Sequence, residues 1–175
     1  MRVVLVGDSH LTETSPRRPT TKLPPRLRRC GLDVLVAAVG GANSRDVLRQ
    51  QIPDDADWVV LSVGVNGSTP WKSVGPDEFT ANCERMLGTS GTQRYLVLGP
   101  GLVIERGVAG ERTNKGLSAY AAALRRTAVA HSARFVSMAD LLNDSDLAED
   151  GVHFNDSGYR KLADRVLVEL VSSQA

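Results

Sequence analysis

The sequence predicts an α/β fold built on a parallel sheet, and three observations predict it. Short β-branched runs alternate with longer stretches of helical period, the pattern of strand–crossover–strand units. The interior runs are apolar almost throughout, as strands are when helices cover both faces. Segments rich in Gly, Pro, Ser and Thr follow the third and fourth of these runs, where such a sheet carries its binding loops. Residues 1–175 read as one domain, with no internal repeat and no dividing linker. A chain of this length buries roughly 70% of its unfolded surface.

The elements follow in order. Arg2–Val6 is the first strand, and its apolar run from Val3 meets Gly7-Asp8-Ser9. Pro24–Arg29 reads as a helix. Asp33–Ala38, Trp58–Val63 and Tyr95–Leu98 are the interior strands, separated by helical segments at Ser44–Gln51 and Pro76–Leu87. Asn114–His131 reads as a longer helix and Phe135–Ser137 as the fifth strand. Ser157–Val171 is the clearest helix: Tyr159, Leu162, Ala163, Val166, Leu167 and Leu170 form one stripe, with Arg160, Lys161, Asp164 and Arg165 outside it. Strand-then-helix repetition predicts a doubly wound sheet of about five strands with right-handed crossovers. Gly64–Pro76 and Gly99–Thr113 carry no period. They are the expected walls of a ligand site, the first with Trp71 and Lys72, the second with Glu105, Arg106, Glu111 and Arg112.

Composition excludes several classes of function. A net charge of +1 gives no global case for nucleic acid, and 5% aromatic content argues against a surface for stacking bases. No stretch approaches the roughly 20 apolar residues of a membrane helix. The N-terminal apolar run is too short for a signal-peptide core, so the expected location is cytoplasmic. Cys30 and Cys83 have no metal-type spacing and are expected as free thiols.

Four short motifs fall on the carboxyl edge of the predicted sheet: Gly7-Asp8-Ser9, Gly40-Gly41-Ala42-Asn43-Ser44, Gly64-Val65-Asn66-Gly67 and Asp150-Gly151-Val152-His153. A serine hydroxyl is a weak nucleophile unless a base takes its proton and a third group orients that base. Ser9, His153 and Asp150 can fill those roles. An acyl-transfer site also needs donors aimed at the oxyanion. Gly41 can bring a bare backbone N–H close, Asn66 offers an amide, and the Ser9 N–H is a third donor.

These motifs resemble the SGNH (GDSL-like) hydrolase superfamily, in order and over nearly the whole chain. The run His153-Phe154-Asn155-Asp156-Ser157-Gly158-Tyr159 is particularly similar to the family's last block. The resemblance implies a three-layer α/β/α sandwich of flavodoxin-like type. It implies Ser9 as nucleophile, Asp150 and His153 completing a triad, and Gly41 and Asn66 as oxyanion donors. It also implies cleavage of carboxylic esters or thioesters without a metal or organic cofactor, or acyl transfer by the same residues. A small-molecule ester is the expected partner, with small acyl groups such as acetyl favoured by a short chain without a lid domain. Two positions depart from the family pattern: Gly67 replaces the usual acid of the third block, and His10 stands where leucine is common.

Plainer readings stand beside these. Asp-Ser after a strand also caps turns, glycine pairs also make tight connections, and Asn66 also suits a turn. A fold-keeping binding module without catalysis is the rival of another class. His10, Trp71 and Arg106 are the expected substrate contacts; His131, ending a helical run, is expected to be structural. Arg17–Arg29 holds six basic residues and no acid. It reads as a solvated face or as a docking patch for an anionic substrate or carrier.

Overall fold

In the computed structural model, which describes residues 1–13, 21–88, 93–105 and 111–172, five parallel strands form one sheet in the order β2-β1-β3-β4-β5. The strands are β1 (Arg2–Gly7), β2 (Asp33–Val36), β3 (Trp58–Ser62), β4 (Arg94–Gly99) and β5 (Arg134–Ser137). The helices are α1 (Leu23–Arg29), α2 (Ser44–Val47), α3 (Pro76–Gly88), α4 (Asn114–Ala130), α5 (Met138–Leu141) and α6 (Asp156–Val171). Short 3₁₀ turns at Pro70–Lys72 and Asp144–Asp146 complete the described elements. No described helix is long and apolar enough to cross a membrane.

Side chains alternate between two cores, because successive strand residues point to opposite faces. Val3, Leu5, Trp58, Val60, Leu96 and Leu98 pack with Leu23 and Leu27 of α1 and Tyr159, Leu162, Val166 and Leu170 of α6. Val4, Val6, Val59, Leu61 and Val97 pack on the other face with Phe79, Cys83 and Met86 of α3 and Leu124 and Ala128 of α4. The result is the three-layer sandwich. The chain leaves β1 toward β2 and then returns to β3 on β1's other side. The crevice at the carboxyl ends of β1 and β3 is therefore a topological switch point, where open α/β sheets bind ligands.

Two expectations are corrected. The second strand ends at Val36 and is an edge: Asp33 is exposed and Leu35 is 43% exposed, so it is not covered on both faces as its apolar run suggested. The helix expected over residues 44–51 keeps only Ser44–Val47. Beyond it Arg49 and Gln50 bond three residues back, to Asp46 and Val47, and Pro53 follows. Asn43 closes its start with a reciprocal capping box to Asp46. Cys30 is exposed, Cys83 is buried, and both are free.

Candidate active site

The site is assembled from the turns after β1, β2 and β3 and from the loop before α6. Ser9 follows directly on β1. Gly7, the hinge into that turn, sits at φ +143°, and a Cβ there would lie 2.1 Å from the Ser62 carbonyl oxygen of β3. Only glycine lets the two strands approach while the chain turns. The turn is closed by Leu11 N–H on the Asp8 carbonyl at 3.1 Å. The Ser9 carbonyl accepts from the Thr12 hydroxyl at 3.0 Å and the Lys22 ammonium at 2.5 Å.

The Asp150–His153 loop is shaped by its own acid. Asp150 Oδ1 accepts from the Val152 and His153 N–H groups at 3.0 and 2.9 Å, leaving Oδ2 for the imidazole. Ala148 N–H on the His153 carbonyl (2.7 Å) and Gly151 N–H on the Ala148 carbonyl (2.9 Å) brace the turn. Asn155 then caps α6 through Gly158 N–H and anchors the loop by donating to the Ser145 and Leu147 carbonyls.

The two ends of the chain meet. His153 Nε2 lies 2.8 Å from Ser9 Oγ, and His153 Nδ1 lies 2.7 Å from Asp150 Oδ2. With Nδ1 donating to the carboxylate, Nε2 is the acceptor that faces the hydroxyl. Burial alone would raise the Asp150 carboxyl, but bonds from the His153 ring and from the His153 and Val152 N–H groups hold it below the usual range. Burial and the neighbouring His10 lower the His153 imidazole, and the Asp150 charge only partly opposes them. The neutral base is favoured. The His153 and Asp150 side chains are about a third exposed, so both are open to solvent.

The other predicted residues are placed as follows. Gly41 lies in the turn after β2 at φ +76°, and its carbonyl accepts from Lys72 Nζ at 2.5 Å. Asn66 is 7% exposed; its Nδ2 donates to the Ala42 carbonyl at 2.9 Å and its Oδ1 accepts from Arg112 at 3.3 Å. Those two contacts fix which way the amide faces and leave one N–H of Nδ2 without a role in either. Trp71 is 63% exposed with the Arg112 guanidinium 6.0 Å from its ring. Arg106 lies outside the described residues. His10 corrects its expectation: at 1% exposure, with both ring nitrogens engaged by Asp8 and Val152, it cannot touch substrate.

A family model described as the GDSL-like lipase/acylhydrolase family matches residues 5–161. The chain belongs to the GDSL-like lipase/acylhydrolase family. No curated protein sequence matches it. Among solved structures it resembles a lipase/acylhydrolase from Enterococcus faecalis (TM-score 0.83, 21% identity, 97% of this chain and 94% of that one). It also resembles an acetylxylan esterase from Geobacillus stearothermophilus (0.74, 18%, 97% and 94%) and an α/β hydrolase from the metagenome of Lake Arreo, Spain (0.72, 17%, 95% and 93%). At these identities the likeness establishes the fold.

In this GDSL-family chain the third-block loop, where Gly67 stands in place of the usual acid, is held by contacts from within and from outside it. The Tyr120 hydroxyl lies within bonding reach of the Gly67 and Val74 carbonyls (3.1 and 2.5 Å), Arg112 Nε donates to the Val65 carbonyl (3.0 Å), and Thr69 donates to Asn66's (2.9 Å). The sequence assigns three contributors no such role: Gln50 is not singled out, Arg112 stands only among the expected walls of the site, and Lys22 only in the basic segment. The Gln50 amide pairs with both the N–H and the C=O of Gly7, at 2.7 and 2.8 Å, acting as a strand where β2 has ended. Arg112 orients Asn66. Lys22 is 2% exposed and holds the Ser9 carbonyl, and its burial pushes the ammonium down to about 8.

Within the Arg17–Arg29 segment, Lys22 is thus internal, Arg26 pairs with Asp156 and Arg28 with Glu13. These three do not offer a free cationic surface; Arg17 and Arg18 lie outside the described residues. His131 caps α4 and meets Glu84 at 2.5 Å, a structural contact. A cavity of about 240 Å³ lined by Val6, Val47, Leu61 and Met86 sits in the α2–α3 face and includes none of Ser9, Asp150 and His153.

Proposed function

We propose that the protein is a serine ester hydrolase. The observation that carries this reading is the chain of contacts Ser9 Oγ–His153 Nε2 (2.8 Å) and His153 Nδ1–Asp150 Oδ2 (2.7 Å). As Ser9 Oγ bonds to the acyl carbon, its proton passes to His153 Nε2, and Asp150 stabilises the imidazolium. The carbonyl oxygen becomes an oxyanion, received by the N–H groups of Ser9 and Gly41 and by the Asn66 amide. Each such donor lowers the barrier by on the order of 3 kcal/mol. The imidazolium returns its proton to the leaving alcohol as the acyl C–O bond breaks. Water, deprotonated by His153, then attacks the acyl-enzyme and releases the acid and Ser9.

The acyl group we infer is small, acetyl foremost. Val65 and Val152, neighbours of Asn66 and His153, are buried and pack with Val103 and Leu117, which supports a short chain. The exposed Trp71 supports a sugar or similar ring as the alcohol part, in keeping with the acetylxylan ester that the Geobacillus relative acts on by its name.

Labelling by a serine-directed phosphonate and turnover of aryl acetates test the reading together. Ser9→Ala is expected to keep its thermal transition, lose the label, and lose about 10⁴-fold or more of kcat. Labelling that persists in Ser9→Ala, or turnover within tenfold of the parent, would assign the chemistry to another nucleophile. An unlabelled parent protein would favour the non-catalytic binding module.

A further inference from the structure

His10 is buried between the two loops that bring Ser9 and His153 together, and its ring has an unusual set of partners. Nδ1 lies 3.0 Å from Asp8 Oδ1 and Nε2 lies 3.1 Å from the Val152 carbonyl oxygen. With Asp8 ionised, both partners are acceptors. A neutral imidazole has one N–H and one bare lone pair, so one of these oxygens would face a lone pair inside the protein, where such a mismatch is costly. An imidazolium satisfies both. The surroundings suit the charge: Asp8 is 1% exposed, and the Phe154 ring stacks on His10 at 4.5 Å. Asp8 Oδ2 has no partner among the described residues, so the carboxylate relies on nearby cations.

We propose that His10 is a positioning residue, a buried imidazolium that ties the Ser9 turn to the His153 loop and whose charge keeps His153 in the proton-accepting form. The inference rests on the reading of Ser9 as nucleophile and His153 as base. The link is direct: Val152, whose carbonyl His10 holds, precedes His153, and the two imidazole rings are 5.7 Å apart. Other charged or titratable groups act in the same space. Lys22 adds positive charge near both imidazoles and Asp150 adds negative charge at His153. Arg112 and Tyr159 are within electrostatic reach of Asp8 and Asp150. Burial pulls His10 down, but the Asp8 charge and hydrogen bond with the Val152 carbonyl more than reverse it, so His10 stands above the ordinary 6.5. A raised value means its stabilisation is complete below 6.5 and is lost as pH climbs through the folded value.

Nitrogen-15 NMR of histidine-labelled protein decides the charge without any variant, since there are three histidines to resolve. At about pH 7 His10 is expected to carry protons on both ring nitrogens, while His153 carries one, on Nδ1. A singly protonated His10 overturns the proposal. His10→Gln keeps a hydrogen-bonding side chain and removes the charge. In that variant the NMR titration of His153 and the acid limb of kcat/KM are expected to move up together by about one unit, the size of a unit charge at this separation in a medium between protein and water. The kcat is expected to fall about tenfold. An unmoved His153 titration in a folded variant also overturns the proposal. If the parent fails to label with the phosphonate, the hydrolase reading falls, and the NMR result still reports on His10.

Discussion

The two sides of the site are held in different ways. Beneath Ser9 the polar groups are interior and linked: Asp8 and His10 are 1% exposed and Lys22 is 2% exposed, and each bonds to backbone of the turns that carry Ser9 and His153. Across the crevice, the 3₁₀ turn Pro70–Lys72 buries none of its side chains, and Trp71 is 63% exposed. Buried hydrogen bonds between turns hold them in place, whereas an exposed turn can yield to an arriving molecule. The division matches the demands of the two tasks. Proton transfer tolerates little misplacement, and a shift of 1 Å can cost about 10²-fold in rate. Substrate choice tolerates more.

Asn66 belongs to the rigid side by its bonds and faces the open side by its position, so altering it is the sharpest way to break the comparison. Asn66→Ala is expected to lower kcat by about 10² to 10³ with little change in KM, because an oxyanion donor acts mainly in the transition state. Steady-state kinetics on an aryl acetate measure this. A fall of less than about threefold would remove Asn66 from the oxyanion site and leave it as a turn residue.

The sequence made the rigid side only partly legible. Ser9, Asp150 and His153 stand in short motifs whose chemistry is local, and the strands that carry them announce themselves by apolar runs. The supports do not. His10 meets Val152 across 142 positions and Gln50 meets Gly7 across 43, and no periodicity encodes such pairings. Lys22 stands among basic neighbours that read as a solvated face or a docking patch, yet its ammonium donates to the Ser9 carbonyl and the Thr12 hydroxyl. The edge position of β2 was obscured because Val34, Leu35 and Val36 look as apolar as an interior strand. Strand order is set by the crossovers, which composition does not record.

Gln50 offers a gentler test of the rigid side. Its amide takes both polar groups of the Gly7 peptide, two residues from Ser9. Gln50→Leu keeps the bulk and strands the buried Gly7 N–H, a loss of roughly 1–3 kcal/mol. Denaturant unfolding should register that loss, and kcat should fall about tenfold as the Ser9 turn loosens. A stability loss with unchanged kcat would mean that the remaining bonds, from Leu11, His10, Thr12 and Lys22, hold the turn well enough.

The smallest effect is expected on the open side, and there the choice of substrate is the informative variable. If Trp71 is a platform for a ring, it binds ground state and transition state alike, so its removal should act on KM and spare kcat. Stacking contacts of this kind are worth about 0.5–1.5 kcal/mol, which corresponds to a rise of about 2- to 10-fold. Trp71→Ala is therefore expected to raise KM by that factor for an acetylated sugar while leaving kcat near the parent value. A small aliphatic acetate without a ring should respond differently, since it has nothing to lay on the indole, and its KM should change by less than about twofold. Equal losses on both esters, or a loss confined to kcat, would tie the Pro70–Lys72 turn to the reacting groups through Lys72 and the Gly41 carbonyl, and the line drawn between the rigid and the open side would have to move.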